Sequence, residues 1–206
     1  PDLRTQVLRE GIRHVDAVLF THSHADHVMG LDDCRRFCSI NGHRPLPLYA
    51  DRQTMKALRR VFQYAFEGPL IRGYFKPEPQ LINGPFALGD LQVTPFEQSH
   101  GSMGSLGFLF EQVGAKCLAY YNDCKVVSLH AVEAAKGVRV AVLDALRPHE
   151  HPSHMSLDEA LTTARRISPG ETLLSHLTDF YDHDRDEAEL PNGVRFAYDG
   201  MRLCLS

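Results

Sequence analysis

The stretch that decides the fold is Thr21-His22-Ser23-His24-Ala25-Asp26-His27-Val28-Met29-Gly30-Leu31-Asp32-Asp33. Four residues with metal-ligand side chains, His22, His24, Asp26 and His27, are crowded into its first half. The run before it, Val15 to Phe20, is mostly apolar and β-branched or aromatic, which predicts a buried strand. The run after it, Gly30 followed by a polar–apolar mix through Phe37, predicts a loop passing into a helix over Leu31 to Ile40. The imidazoles therefore stand where a strand ends, and ligand sites in α/β sheets favour the carboxyl ends of strands. A strand sends successive side chains to opposite faces and cannot aim four at one point. A loop can, so the cluster reads as a metal site.

The same arrangement recurs along the chain. Leu3 to Ile12 has the spacing of an amphipathic helix closing near Gly11. Leu46 to Ala50 reads as a strand, and Asp51 as the cap of a helix running to about Phe62. Residues 63–90, rich in Gly and Pro, read as loops with brief strands, the place for substrate contacts. Leu91 to Phe96 is a strand that delivers the turn holding His100. Ser105 to Phe110 and Lys116 to Tyr121 form a hairpin around Gly114, and its second strand delivers Asp123. A helix near 126–136 leads to strand Val138 to Leu143, which delivers Asp144 and a loop holding His149, His151 and His154. Ser156 caps a helix with Asp158 and Glu159 in its first turn. Strand Glu171 to Ser175 delivers His176, and a short helix at 184–190 and a terminal hairpin close the chain. Five strand ends thus each carry a His, an Asp or both. No internal boundary shows, so one domain is expected over 1–206.

Bland readings compete at each position. His100 and His176 taken singly are ordinary polar residues, and Asp123 shares a capping role with Asn122. Asp144 reads equally as a carboxylate orienting a ligand imidazole or as a turn residue. His149 and His151 read as loop surface and Arg147 as a solvated arginine. His14, His43, His130 and His183 read as surface or turn residues.

With 206 residues, 43% of them hydrophobic, the chain is long enough for one well-cored domain. A net charge of −4 leaves no basic footprint for nucleic acid, which is not expected as a partner. Cysteines 34, 38, 117, 124 and 204 are odd in number and form no CxxC pair. They read as reduced thiols in a cytoplasmic protein, with Cys34 and Cys38 on one helix. No apolar run reaches the length of a membrane span. The oligomeric state is open, a homodimer included.

Residues 22–27 resemble the His-x-His-x-Asp-His signature of the metallo-β-lactamase superfamily, and the wider chain is similar to its PhnP-like phosphodiesterase branch. The segment Tyr121-Asn122-Asp123-Cys124-Lys125 and the His-Met-Ser element at 154–156 carry the likeness further. The resemblance implies an α/β fold, the αββα sandwich of that superfamily. It also implies two divalent metal ions, zinc or manganese. His22, His24 and His100 would hold one ion, Asp26, His27 and His176 the other, and Asp123 would bridge them. Asp26 and His154 would be the catalytic residues, His154 giving a proton to the leaving oxygen. The implied activity is hydrolysis of a small cyclic or nucleotide-like phosphodiester by a metal-bridging hydroxide. The chain opens at Pro1, and in that family strands precede a segment like Pro1 to Arg4, so the fold is expected to lack its amino-terminal strands here.

Three other activities share much of this set. A tRNA 3′-processing nuclease would need a basic arm, of which no insertion is seen. A glyoxalase-II-like thioesterase comes next, and a non-catalytic metal-binding fragment is the contrasting class. β-Lactamases tend to carry Cys where Asp123 stands.

Overall fold

The computed structural model describes residues 2–68 and 75–205. Packing divides the chain into two units, Pro1–Asn83 and Gly84–Ser206, each with its own sheet and apolar core. The sequence carries no linker-like composition at that point, because Asn83 and Gly84 form only a short turn between strands.

In the first unit, helix α1 (Leu3–Arg9) leads to strand β1 (Val18–Leu19), and helix α2 (Ala25–Val28) follows. A 3-10 segment, Met29–Cys34, then runs into α3 (Arg35–Ile40). Strand β2 (Leu46–Ala50), helices α4 (Arg52–Val61) and α5 (Gln63–Glu67) and strand β3 (Pro77–Leu81) complete it. The sheet is parallel, in the order β1-β2-β3. β2 alternates buried and half-buried positions, and Leu48, Ala50 and Leu58 are wholly buried in a core with Phe20, Val28, Leu31 and Phe37. Asp51 caps α4 as expected, its carboxylate accepting from Thr54 N at 2.6 Å.

Two expectations change here. The strand expected over 15–20 pairs only at Val18 and Leu19, with Phe20 N donating to Tyr49 O at 2.8 Å. β1 stands at the edge of this sheet and uses only Leu48 and Tyr49 of the five-residue β2, so apolar character outruns strand pairing. The helix expected over 31–40 starts as 3-10 and becomes α-helical only at Arg35, with no side-chain cap to fix an α-helical start. Of the loops expected over 63–90, residues 69–74 lie outside the described residues, and 63–67 are helical.

The second unit is built on a seven-stranded sheet. Its strands are β4 (Phe86–Leu88), β5 (Leu91–Gln98), β6 (Ser105–Gln112), β7 (Ala115–Tyr121), β8 (Val140–Asp144), β9 (Glu171–Ser175) and β10 (Val194–Phe196). β4 to β7 form an antiparallel meander, and β7 to β10 run parallel. The change of direction follows from the connections. Val113 and Gly114, both at positive φ, make the tight turn between β6 and β7. Helices α6 (Leu129–Ala135), α7 (Leu157–Ile167) and α8 (His183–Glu187) provide the crossovers that parallel strands need. β8 reads VAVLD and is buried almost throughout, as a strand inside a parallel sheet should be. Ser156 and Glu159 form a full capping box at the start of α7.

The terminal hairpin is corrected. β10 pairs parallel with β9, and no strand follows it among the described residues. The α8 crossover returns the chain in the direction of β9, and Glu187 ties the end of β10 to α8 by accepting from Phe196 N at 2.7 Å.

Candidate metal-binding and catalytic site

In the first unit, β1 ends at Leu19 and the chain turns at Thr21 into the His/Asp cluster. His22 is 1% exposed, its Nδ1 is 3.0 Å from Thr21 Oγ1, and its Nε2 is 2.8 Å from His24 Nδ1. The His22 ring also lies 4.4 Å from that of His27, centroid to centroid. α2 is short and begins at the His24 cap, which puts Asp26 in its first turn and His27 in its last. Asp26 Oδ2 and His27 Nε2 are 3.2 Å apart. Burial of Val28 and Leu31 anchors the far end of this loop. Gly30 is required there, because a Cβ would come within 2.8 Å of Leu3 Cβ on α1. The sequence cluster is thus a spatial cluster of four ligand-type side chains.

In the second unit the strand ends bring together His100, Asp123, Asp144, His154 and His176. His100 Nδ1 is 3.0 Å from Ser153 O. A carbonyl only accepts, so Nδ1 carries the ring proton and Nε2 the lone pair of the neutral imidazole. Asp123 is 1% exposed and its Oδ1 is 3.1 Å from His176 Nε2. Both residues adopt left-handed backbone, at φ +50° and +60°, which is costly for side chains other than glycine. Ser105 Oγ donates to Asp123 O at 2.7 Å and helps hold that turn.

Asp144, the last residue of β8, is fully buried and accepts three hydrogen bonds. Oδ2 takes Cys124 N at 2.9 Å and His154 Nδ1 at 2.7 Å, and Oδ1 takes Leu146 N at 3.1 Å. Asp144 thus meets parts of both sequence readings: it orients an imidazole, that of His154, and it holds the turn through Leu146 N. His154 stacks on His176 at 4.9 Å and 24°, and stands edge-on to His100 at 4.7 Å and 78°. Ligand atoms of Asp144, His154 and His176 all lie within 4.8 Å of one another. The two carboxylates also bear on a neighbour: burial, then Asp144 and Asp123, push the Cys124 thiol well above its usual range.

Two surface readings are corrected. His151 is half-buried, with its ring 5.1 Å from that of His154. Burial, then His154 and Arg147, hold its pKa below the usual imidazole value. Arg147 is half-buried and more than a solvated arginine: Nη2 donates to Glu150 O at 2.6 Å and Nε to His149 O at 3.4 Å, so it also braces its own loop. Sequence reasoning missed the Ser153 carbonyl, and no residue identity could have signalled a backbone group.

Residues 1–177 match the family model described as a beta-lactamase superfamily domain. The chain belongs to that family. A solved structure described as a new diphosphatase from the PhnP family is 33% identical, with a TM-score of 0.86, covering 100% of this chain and 79% of that one. An octanoyltransferase of Porphyromonas gingivalis is 34% identical over 213 residues, all of this chain and 41% of that protein. The chain therefore spans about two fifths of that relative's length. Human tRNase Z, short form, at 18% identity and a TM-score of 0.71, shares the fold. Zn(2+)-bound PqqB from Methylobacterium extorquens, at 22% identity and 0.73, does too. The α/β fold of metallo-β-lactamase type expected from the sequence is the fold of this chain.

In this beta-lactamase superfamily domain the donor chemistry fits divalent metal binding. Buried neutral imidazole beside carboxylate oxygen suits borderline cations such as zinc and also manganese. The tautomer that Ser153 imposes on His100 presents a lone pair rather than a proton, which a ligand imidazole requires. No helix among the described residues is long and apolar enough to cross a membrane.

Proposed function

We propose that this chain is a metal-dependent hydrolase, specifically a dinuclear-metal phosphodiesterase acting on a small cyclic or nucleotide-like phosphodiester. The proposed ligands are His22, His24 and His100 for one ion, and Asp26, His27 and His176 for the other, with Asp123 bridging. The ions are zinc or manganese. When bound, such a pair supplies Lewis acidity to the phosphoryl oxygens and lowers the pKa of a coordinated water.

The residues of the chain supply the rest. Hydrolysis of a phosphodiester breaks a P–O bond to an alkoxide, which needs a proton as it leaves. His154 is the donor in this reading, through Nε2, the ring nitrogen opposite Asp144. The Asp144 carboxylate on Nδ1 fixes the ring and favours the imidazolium form. Asp26, in the first turn of α2, belongs to the catalytic machinery as a ligand. The observation that carries the proposal is the 2.7 Å Asp144–His154 bond, on a ring packed against both His100 and His176. An acid beside two ligand imidazoles suits a poor alkoxide leaving group better than a β-lactam or a thioester. Likeness to the PhnP-family diphosphatase supports the same substrate class, whereas the octanoyltransferase name describes a protein more than twice as long as the matched part. A cytoplasmic setting belongs to the same reading, supported by five free cysteines.

The test is metal-reconstituted protein offered an aryl phosphodiester, a thioester and a precursor tRNA side by side. Turnover of the diester alone is expected. Turnover confined to the thioester, or to the tRNA at its 3′ end, overturns the proposal in favour of that activity.

A further inference from the structure

The loops that follow β8 and β9 leave one large aromatic side chain facing solvent at the end of the sheet that carries Asp144 and His176. Phe180 is 58% exposed, four residues after His176. A lone exposed apolar residue means little, but this one is held in place from both sides. On one side Thr178 N and Oγ1 both donate to Leu146 O, at 3.0 and 2.8 Å. On the other, the Tyr181 ring turns inward onto Phe196 at 5.0 Å, its hydroxyl buried. The backbone between these anchors is held at both ends, and it turns Asp179 and Phe180 outward.

Phe180 also has a partner from the neighbouring loop. The His149 ring meets it edge-on at 6.2 Å and 72°, inside the range of favourable aromatic pairs. The Arg147 guanidinium, which donates to the carbonyls of His149 and Glu150, holds the turn that presents His149. β8 and β9 pair with Asp144 opposite Ser175, so both loops leave the same end of the sheet, the end that carries Asp144 and His176. Two rings from two braced loops therefore stand at the carboxyl ends of parallel strands, where open α/β sheets bind ligands.

We propose that Phe180, backed by His149, is a stacking platform for a planar ring of the substrate, so that the diester carries a nucleobase. This deepens the phosphodiesterase reading and rests on it. A ring with open solvent on one side and an edge-on partner on the other accepts any base by its π-face, without hydrogen-bond readout.

The experiment compares a nucleoside 2′,3′-cyclic phosphate with ribose cyclic phosphate, which lacks the base, in wild type, Phe180→Ala and Phe180→Tyr. Phe180→Ala should raise KM for the nucleotide about 5- to 150-fold with kcat kept, as loss of one stacked base does. KM for the base-free diester should stay unchanged, and Phe180→Tyr should restore the wild-type value. Equal KM for the two diesters in wild type, or equal shifts on both in Phe180→Ala, overturns the platform and leaves the phosphodiesterase reading standing. Calorimetric binding of adenosine monophosphate separates the remaining case. If neither diester turns over, the phosphodiesterase reading fails; weaker nucleotide binding by Phe180→Ala then supports the platform, and unchanged binding sinks it.

Discussion

Asp144→Asn is the substitution that probes the proposed mechanism most directly, because the structure sets the size of its effect. The carboxylate is fully buried and accepts from Cys124 N, His154 Nδ1 and Leu146 N. An amide has one accepting oxygen. With that oxygen at the Oδ2 position, the bonds from Cys124 and His154 survive, and Leu146 N–H keeps its bond to Met155 O at 3.1 Å, so the group left unsatisfied is the new amide nitrogen that faces it. The opposite flip orphans two donors, so the first is adopted. One buried unsatisfied group costs about 1–3 kcal/mol, which lowers Tm by roughly 2–12 °C for a chain of this length. Asp144→Ala strands two donors, Cys124 N and His154 Nδ1, while Leu146 N keeps Met155 O, roughly 2–6 kcal/mol on the same scale. The upper end of that range approaches the whole stability of a domain, so the amide is the informative variant.

The catalytic effect follows from the same geometry. His154 keeps its bond in Asp144→Asn, but a bond to a charged acceptor becomes a neutral one. Bonds to charged groups exceed neutral ones by about 1–1.5 kcal/mol, or roughly 5- to 13-fold in rate if the imidazolium donates in the transition state. The assay is kcat on two diesters, one with an alkyl leaving group and one releasing p-nitrophenolate, with metal content checked by elemental analysis. The alkyl substrate should lose that factor, whereas the aryl substrate, whose leaving group needs no proton, should not. Equal losses on both substrates at unchanged metal content would refute the assignment of His154 as acid.

His154→Ala should keep its metal and lose about 10²–10⁴ in kcat on the alkyl diester; normal turnover would remove the residue from the mechanism. Asp123→Ala should lower bound metal in elemental analysis, and full retention of two ions would contradict its bridging role. Gly107→Ala should lower stability by about 1–3 kcal/mol in urea unfolding, since a Cβ there would lie 2.5 Å from Gln98 Nε2 and 2.6 Å from Tyr121 Cδ1. Glu159→Gln keeps the capping box and removes a charge. Burial tends to raise the Glu159 pKa, but Lys125 and the Ser156 N–H outweigh it and hold the folded value below 4.5. The charge therefore stabilises above the unfolded pKa, and its contribution fades as pH falls through the folded one. The gap between wild type and variant, on the order of 1 kcal/mol for a pair still in reach of solvent, should be seen in urea midpoints near pH 6 and close at strongly acidic pH.

What the sequence disclosed is what local rules govern. Asp51 and Ser156 announce helix starts because a side-chain oxygen can satisfy N-terminal amides only there, and both are seen in that role. The Val113–Gly114 turn and the near-continuous apolar run of β8 are likewise local. Strand ends carrying Asp123, Asp144 and His176 were legible because apolar runs stop at them. What stayed hidden depends on partners distant in sequence. The extent of β1 depends on how much of β2 it reaches, and the direction of β10 on the α8 crossover. Arg147 looks the same in sequence whether it meets solvent or its own loop's carbonyls. The boundary at Asn83 is a matter of packing alone, with no change of composition to mark it.

The backbone at Asp123 and His176 bears on which of these features are functional. Left-handed φ at a residue other than glycine costs on the order of 1–3 kcal/mol and persists where the surroundings over-determine it. Here both residues follow parallel strands whose neighbours, Tyr121, Leu143 and Leu174, are wholly buried. Glycine at either position would relieve the backbone and delete the side chain. Structural economy alone favours that exchange; retaining a carboxylate and an imidazole 3.1 Å apart at the two strained points does not serve stability. The strain therefore falls at two of the proposed ligands, Asp123 and His176, and strands β7 and β9 set where those side chains stand.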